Sequence, residues 1–266
     1  MPLPVRRHPV DVRLPEGRLE AFRIVPPDVR PGAPPVVFLH DALGAVSLWR
    51  DFPDRLCATL GREGLVFDRL GSGRSDPWPE PPGYRLLEVE ARERLPEVLR
   101  QAEIERPVLF GHSDGASIAL LFAAAFPGVP AAVVSIAAHV FVEDVTLAGI
   151  DATVAAYGAT DLVDRLRRHH GAKTETVFRN WSETWRDPAF RGFSVVETIR
   201  AIRCPVLVLQ GEEDEYGSVA QVEAIAAAVS GPVRTAVLPG LGHFPHREDP
   251  GTVLAETERF LAGFRA

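Results

Sequence analysis

The feature that most constrains this chain is a ten-residue stretch over 108–117. The apolar run Val108-Leu109-Phe110 enters Gly111-His112-Ser113-Asp114-Gly115, and from Ala116 the chain is apolar and alanine-rich, in the manner of a buried helix. A serine between a strand and a helix, with glycine two positions away on either side, sits on a sharp and strained turn. Side chains at the glycine positions would collide with the neighbouring strand and helix. The serine hydroxyl is then held out at the end of the strand. The amides that open the helix point the same way, which favours negative charge beside that hydroxyl.

Other apolar runs set the architecture. Val36–Leu39, Leu65-Val66-Phe67, residues 132–136 and residues 205–209 are short, apolar and rich in β-branched residues, as strands buried on both faces of a parallel sheet must be. A fifth strand is expected over 233–238. Amphipathic or helical segments separate them at 48–60, 84–102 with a kink at Pro96, 219–229 and 252–264. The alternating segment 10–25 reads as a β-hairpin at the sheet edge. This rhythm calls for an α/β fold, a doubly wound and mostly parallel sheet with right-handed crossovers. Residues 139–194 break it, with helical segments at 145–157, 159–169 and 174–185 and no buried strand. They are read as a helical cap inserted in a core formed by residues 1–138 and 195–266.

Composition narrows the function. A chain of 266 residues with 46% hydrophobic and 24% charged residues can build one substantial globular unit. Its net charge of -7 gives no reason to expect nucleic acid as a partner. Cys57 and Cys204 are far apart and lack metal-ligand spacing, so buried free thiols are expected. No stretch approaches the roughly 18 apolar residues of a spanning helix, and Arg6-Arg7 is followed by His8-Pro9, not by an apolar segment. The expectation is a cytoplasmic protein, monomer or homodimer, that meets a small-molecule substrate without membrane, metal or organic cofactor.

A serine hydroxyl needs a base near neutral pH, and the base needs an orienting acid. Both must come from loops at the same end of the sheet as Ser113. The strand at 205–209 is followed by Gln210-Gly211-Glu212-Glu213-Asp214-Glu215-Tyr216, and the strand at 233–238 by Pro239-Gly240-Leu241-Gly242-His243-Phe244. Asp214 is chosen as the acid, with Glu212, Glu213 and Glu215 as solvated neighbours within reach. His243 is chosen as the base over His246, because it follows the glycine-rich turn directly. An oxyanion hole requires backbone N–H donors. Those of Asp114, directly after the serine, and of Ala42, in the loop after Leu39, are the candidates. The Asp114 side chain is read as a helix N-cap, and His112 as a packing or supporting group.

Taken together, Leu39-His40-Asp41-Ala42-Leu43-Gly44, Asp68-Arg69-Leu70-Gly71-Ser72-Gly73-Arg74-Ser75, the serine turn, Gly211-Glu212-Glu213-Asp214 and Gly240-Leu241-Gly242-His243 resemble the α/β-hydrolase superfamily from about residue 10 to the end. The resemblance implies Ser113 as nucleophile, His243 as base, Asp214 as acid, and Ala42 and Asp114 as oxyanion donors. Asp41 stands where members of that family commonly carry glycine. A serine at 113, where the family's dehalogenases and epoxide hydrolases carry aspartate, argues against those two activities.

The cap carries Phe141, Tyr157, Phe178, Trp181, Trp185, Phe190 and Phe193, most of which are expected to form its own small core. His40, Asp41, His139, Trp181 and Trp185 are expected to line the pocket, and the basic run 165–170 to form a solvated helix face. The activity expected is hydrolysis of a small ester, thioester or lactone through an acyl group on Ser113. The alternatives are hydrolysis of a carbon–carbon bond in a ring-cleavage product, and a non-metabolic ligand-binding role.

Overall fold

The computed structural model describes residues 5–263. Ten strands run in chain order: β1 (Arg6–Pro9), β2 (Val12–Leu14), β3 (Gly17–Leu19), β4 (Ala21–Val25), β5 (Val36–Leu39), β6 (Gly64–Phe67), β7 (Val108–His112), β8 (Ala132–Ile136), β9 (Val206–Gly211) and β10 (Val233–Leu238). Eight of them form one sheet in the order β1-β4-β6-β5-β7-β8-β9-β10, parallel from β6 to β10 and antiparallel where β4 meets β1 and β6. The hairpin expected over 10–25 is resolved differently. Its first half pairs as a separate two-stranded ribbon, β2 with β3, while β4 joins the main sheet and β1 forms its edge.

Among the described residues ten α-helices accompany the strands: α1 (Phe52–Leu60), α2 (Leu86–Val89), α3 (Leu95–Gln101), α4 (Asp114–Ala125), α5 (Asp144–Ala159), α6 (Leu162–His170), α7 (Thr174–Arg186), α8 (Val219–Ala228), α9 (Pro245–Glu248) and α10 (Pro250–Ala262). The last residue of the expected closing helix, Phe264, lies outside the described residues. The strands of the sheet centre are buried on both faces, and their side chains alternate between two cores. Val37, Leu39, Leu109 and Val133 point to the core shared with α3, α4 and α8. Phe38, Phe110, Val134 and Leu209 point to the core shared with α1 and α10. That period of two is what a strand with helices on both sides must show.

The helix expected to kink at Pro96 breaks one turn earlier. A π-helical turn, Glu90–Arg94, separates α2 from α3, and Pro96 sits in the first turn of α3, where its missing N–H costs nothing. The turn buries Arg94, which pairs with Glu90 at 2.8 Å and Glu16 at 3.1 Å.

Helices α5, α6 and α7 pack on one another between β8 and β9. The two ends of this segment meet. The Val195 N–H donates to the Val140 carbonyl at 2.8 Å, and Phe141 and Ser194 form an isolated bridge. Its aromatics pack largely among themselves: Tyr157 stacks on Phe178 at 3.8 Å, and Phe190 on Phe193 at 4.7 Å.

The turn after β7 depends on its glycines. Ser113 has φ 53, the only positive φ in the turn, and the helix behind it presses against β5. A Cβ at Gly115 would lie 2.0 Å from the Leu39 carbonyl oxygen, and one at Gly111 would lie 2.3 Å from that of Gly115. All of the opposing atoms are backbone and cannot yield. Gly115→Ala is therefore expected to lose about 3 kcal/mol or more of stability in urea denaturation. Gly128→Ala, where an added Cβ meets nothing within 4 Å, is expected to change it by less than about 1 kcal/mol.

Candidate active site

Ser113, Asp214 and His243 come from the ends of β7, β9 and β10, and the parallel sheet brings all three ends to one edge. The His243 Nδ1 lies 2.9 Å from each carboxylate oxygen of Asp214. A carboxylate only accepts, so Nδ1 carries the proton and donates, and the Nε2 lone pair is left for another partner. The acid is held in turn. The Tyr216 backbone N–H donates to its Oδ1 at 2.8 Å, and the Gln210 side-chain amide to its Oδ2 at 2.6 Å. Burial alone would raise the Asp214 carboxyl, but the His243 and Tyr216 hydrogen bonds outweigh it and hold the group below its ordinary value. Glu212 and Glu213 are exposed, as expected. Glu215 is exposed too, but it also accepts the His243 backbone N–H at 3.3 Å.

Ser113 and His243 line one cavity of about 50 Å³. Among the described residues the Ser113 hydroxyl makes no hydrogen bond, so it faces the cavity unengaged. Ala42 and Asp114 line the same cavity, and among the described residues neither backbone N–H donates to a protein acceptor. Two free amides and an unengaged hydroxyl on one small cavity form a site that could hold a carbonyl carbon at the hydroxyl and its oxygen at the amides.

Of the other residues expected at the pocket, Asp41, His139, Trp181 and Trp185 line it. His40 does not. It is 1% exposed, its Nδ1–H donates to the Asp41 carbonyl at 2.7 Å, and its Nε2 accepts the Arg69 N–H at 3.0 Å. The ring is consumed in tying the loop after β5 to the loop after β6. The N-cap reading of Asp114 is also corrected. The helix cap is Ser113, Asp114 is the first helical residue, and its buried carboxylate makes no cap bond.

Several lining groups escaped the sequence reading: Leu43, Thr146, Ile150, Tyr216 and Phe244. Phe244 and Tyr216 flank motif residues and were within reach of adjacency. Thr146 and Ile150 lie one turn apart on α5 and gave no signal. Another surprise is His170, in the run expected to be a solvated face. Arg165, Arg167 and Arg168 are exposed, but His170 is buried. Its Nδ1 accepts the Gly73 N–H at 2.9 Å, so its Nε2–H donates to the Leu43 carbonyl at 3.0 Å. It pins α6 to the loop that carries Ala42. His112 fits its supporting role: its Nε2–H donates to the His243 carbonyl at 2.7 Å, behind the cavity.

Five imidazoles, His40, His112, His139, His170 and His246, are held below their ordinary value chiefly by burial, His40 to about 3 and His139 to about 4. A histidine lowered on folding binds more protons unfolded than folded below about pH 6.5, so acid destabilises the fold. The carboxyls of Asp114, pushed up to about 6 by burial, and of Asp68, also raised by burial, act oppositely, but they are two groups against six once His169, lowered in the same way, is included. The urea midpoint should therefore fall steadily from pH 7 to pH 5; a flat profile would show that these rings are not buried as neutral groups.

The sequence matches the model of the alpha/beta hydrolase family over residues 36–257. No match was found among curated proteins. Many solved structures share the architecture. The proline iminopeptidase of Mycobacterium smegmatis superposes with a TM-score of 0.72 at 19% identity, covering 98% of each chain. The naproxen esterase of Bacillus subtilis gives 0.73 at 18% identity, covering 97% of this chain and 92% of the other. An E-2-(acetamidomethylene)succinate hydrolase gives 0.72 at 19% identity, with 97% and 100% covered. With a family match across more than three quarters of its length and this sheet order, the chain belongs to the alpha/beta hydrolase family.

Proposed function

We propose that this alpha/beta hydrolase cleaves a small carboxylic ester, thioester or lactone through an acyl-enzyme on Ser113. The observation that carries the reading is the His243 ring, with its Nδ1–H bound to Asp214 and its other face on the cavity that Ser113 lines. Residues 139–194 act as a cap over a core of residues 1–138 and 195–266, since α5 and α7 contribute Thr146, Ile150, Trp181 and Trp185 to the cavity wall.

In the first half-reaction the Ser113 Oγ attacks the carbonyl carbon as its proton passes to the His243 Nε2. The carbonyl oxygen takes up the negative charge and is met by the backbone N–H groups of Ala42 and Asp114. Collapse expels the alcohol or thiol, which leaves with the proton from His243. Water then enters, gives a proton to His243, and releases the acid and the Ser113 hydroxyl. Asp214 holds the imidazole in the tautomer that makes this possible and stabilises the imidazolium.

A second reading, hydrolysis of a carbon–carbon bond, has one favourable observation. His139 lines the cavity with its ring centroid 5.9 Å from that of His243, and its Nδ1 has no partner while Nε2 bonds the Tyr216 carbonyl at 3.0 Å. Under that reading His139→Ala abolishes the carbon–carbon activity and spares simple esters.

The test is labelling with a fluorophosphonate, read by intact mass, alongside turnover of a panel of short p-nitrophenyl esters and acyl thioesters. The wild type should label at Ser113 and turn over, and Ser113→Ala should do neither. No labelling and no difference between the two proteins would defeat the assignment and favour a ligand-binding role. Asp214→Asn should retain the fold but lose roughly 10³- to 10⁴-fold in kcat, because it frees the imidazole to adopt the wrong tautomer.

A further inference from the structure

The wall of the cavity has a consistent electrostatic character. Two acidic residues, Asp41 and Asp114, line it together with Trp181, Trp185, Tyr216 and Phe244, and among the described residues no lysine or arginine does. The other histidine of the wall, His139, is held neutral by burial. Asp114 is the unusual group. It is 2% exposed, and among the described residues no hydrogen bond or ion pair reaches its carboxylate. It also lines an adjoining cavity, of about 10 Å³, with Trp181 and Trp185, again without a lysine or arginine.

A carboxylate on a residue this little exposed is costly to leave without a partner, and such groups are ordinarily paired or hydrogen-bonded. The neighbours do not meet the need. Arg69 attracts Asp114 and its Nη2 is bonded to the carbonyls of His40 at 3.3 Å and Asp41 at 2.9 Å, but no hydrogen bond joins its guanidinium, whose Nε is buried without a partner, to the Asp114 carboxylate. Asp41 repels it, and the His243 proton at Nδ1 is committed to Asp214. What is missing is a hydrogen-bond donor in contact with the carboxylate, and the aromatic walls suit a cationic one, since a cation is drawn to the faces of tryptophan and tyrosine rings.

We propose that the site selects esters bearing a protonated amine, with the Asp114 carboxylate as its acceptor and Trp181, Trp185 and Tyr216 around it. The proposal rests on Ser113 as nucleophile only for turnover; recognition of the ammonium group stands apart from it. It also sets the site against anionic acyl groups, including the carboxylated substrates of the carbon–carbon reading and a coenzyme A tail near the cavity. Burial pushes the free Asp114 carboxyl up to about 6, with Arg69 offsetting part and Asp41 adding to the rise. Selection for the amine should therefore weaken as pH falls below that value.

The test compares ester pairs that differ only in the ammonium group. Alanine methyl ester against methyl propionate places it on the acyl side; 2-(dimethylamino)ethyl acetate against 3-methylbutyl acetate places it on the alcohol side. In at least one pair the wild type should favour the cation in kcat/KM by roughly ten- to a hundredfold. That ratio should decline from pH 7 to pH 5, a readout in which any pH dependence common to both esters cancels. In Asp114→Asn the ratio should collapse towards one, whatever happens to the two rates individually. A wild-type ratio near one in both pairs, or a ratio that survives the substitution, overturns the proposal. Should Asp114→Asn not fold, the pH dependence of the wild-type ratio decides alone, and a flat ratio overturns it. Calorimetry with Ser113→Ala separates the two readings. Tighter binding of alaninamide than of propionamide, with no turnover by the wild type, would keep ammonium recognition and defeat the hydrolase. Efficient turnover of both esters without preference would do the reverse.

Discussion

The close approach of α4 to the end of β5 and β7 is the constraint on which the rest of the molecule hangs. Only a residue without a side chain fits where Gly115 faces the Leu39 carbonyl oxygen, and only a residue without a side chain fits at Gly111 against the Gly115 backbone. That contact forces the chain to reverse in a single residue, and the reversal falls on Ser113 at φ 53. The strain is local and is held by a fully buried strand on one side and an almost fully buried helix on the other. Because β5 lies beside β7 in the sheet, the same packing places Ala42 next to the serine.

Around that turn the structure is held by imidazoles whose two nitrogens do different jobs. His243 donates to Asp214, His40 joins the loops after β5 and β6, and His170 joins α6 to both of those loops. In each of the last two rings one nitrogen donates and the other accepts, which only the neutral form can do. Burial keeps them neutral. The site is thus assembled from loops that are individually irregular but tied to one another by buried, directional bonds. An account of its geometry has to include groups that never face the cavity.

The electrostatics of the cavity follow from the same packing. Positive charge is present nearby in Arg69 and in Arg247, whose guanidinium lies 4.5 Å from the centre of the Phe244 ring, but neither lines the cavity. Asp41 and Asp114 do. A space bounded by aromatic residues and acids, with free amides at one point only, offers a corner suited to a developing oxyanion and, on the proposal above, a wall suited to a cation. The two requirements are separated by the few ångströms between the backbone and the side chain of Asp114.

The fold and the three residues brought to the sheet edge were legible because they are written in local pattern. Continuous apolar runs specify doubly covered strands, glycines at fixed spacing specify the turn, and a parallel sheet puts every strand's following loop at the same edge. The sequence by itself therefore determined the strand order's general class, the serine turn, and the approach of Asp214 and His243. Side-chain direction was beyond it. Whether His40 looks into the cavity or away, whether Asp114 caps its helix or stands unpaired, and whether His170 is solvated or buried depend on contacts with segments 29 to 127 residues distant. Even the break before Pro96 moved by a turn to accommodate an arginine paired with Glu16 from a distant ribbon. Local pattern decides which residues are in an element and which end of the sheet they reach. Only the tertiary structure decides which way a polar side chain turns, because its partner is chosen by packing and by the cost of leaving a buried group unbonded.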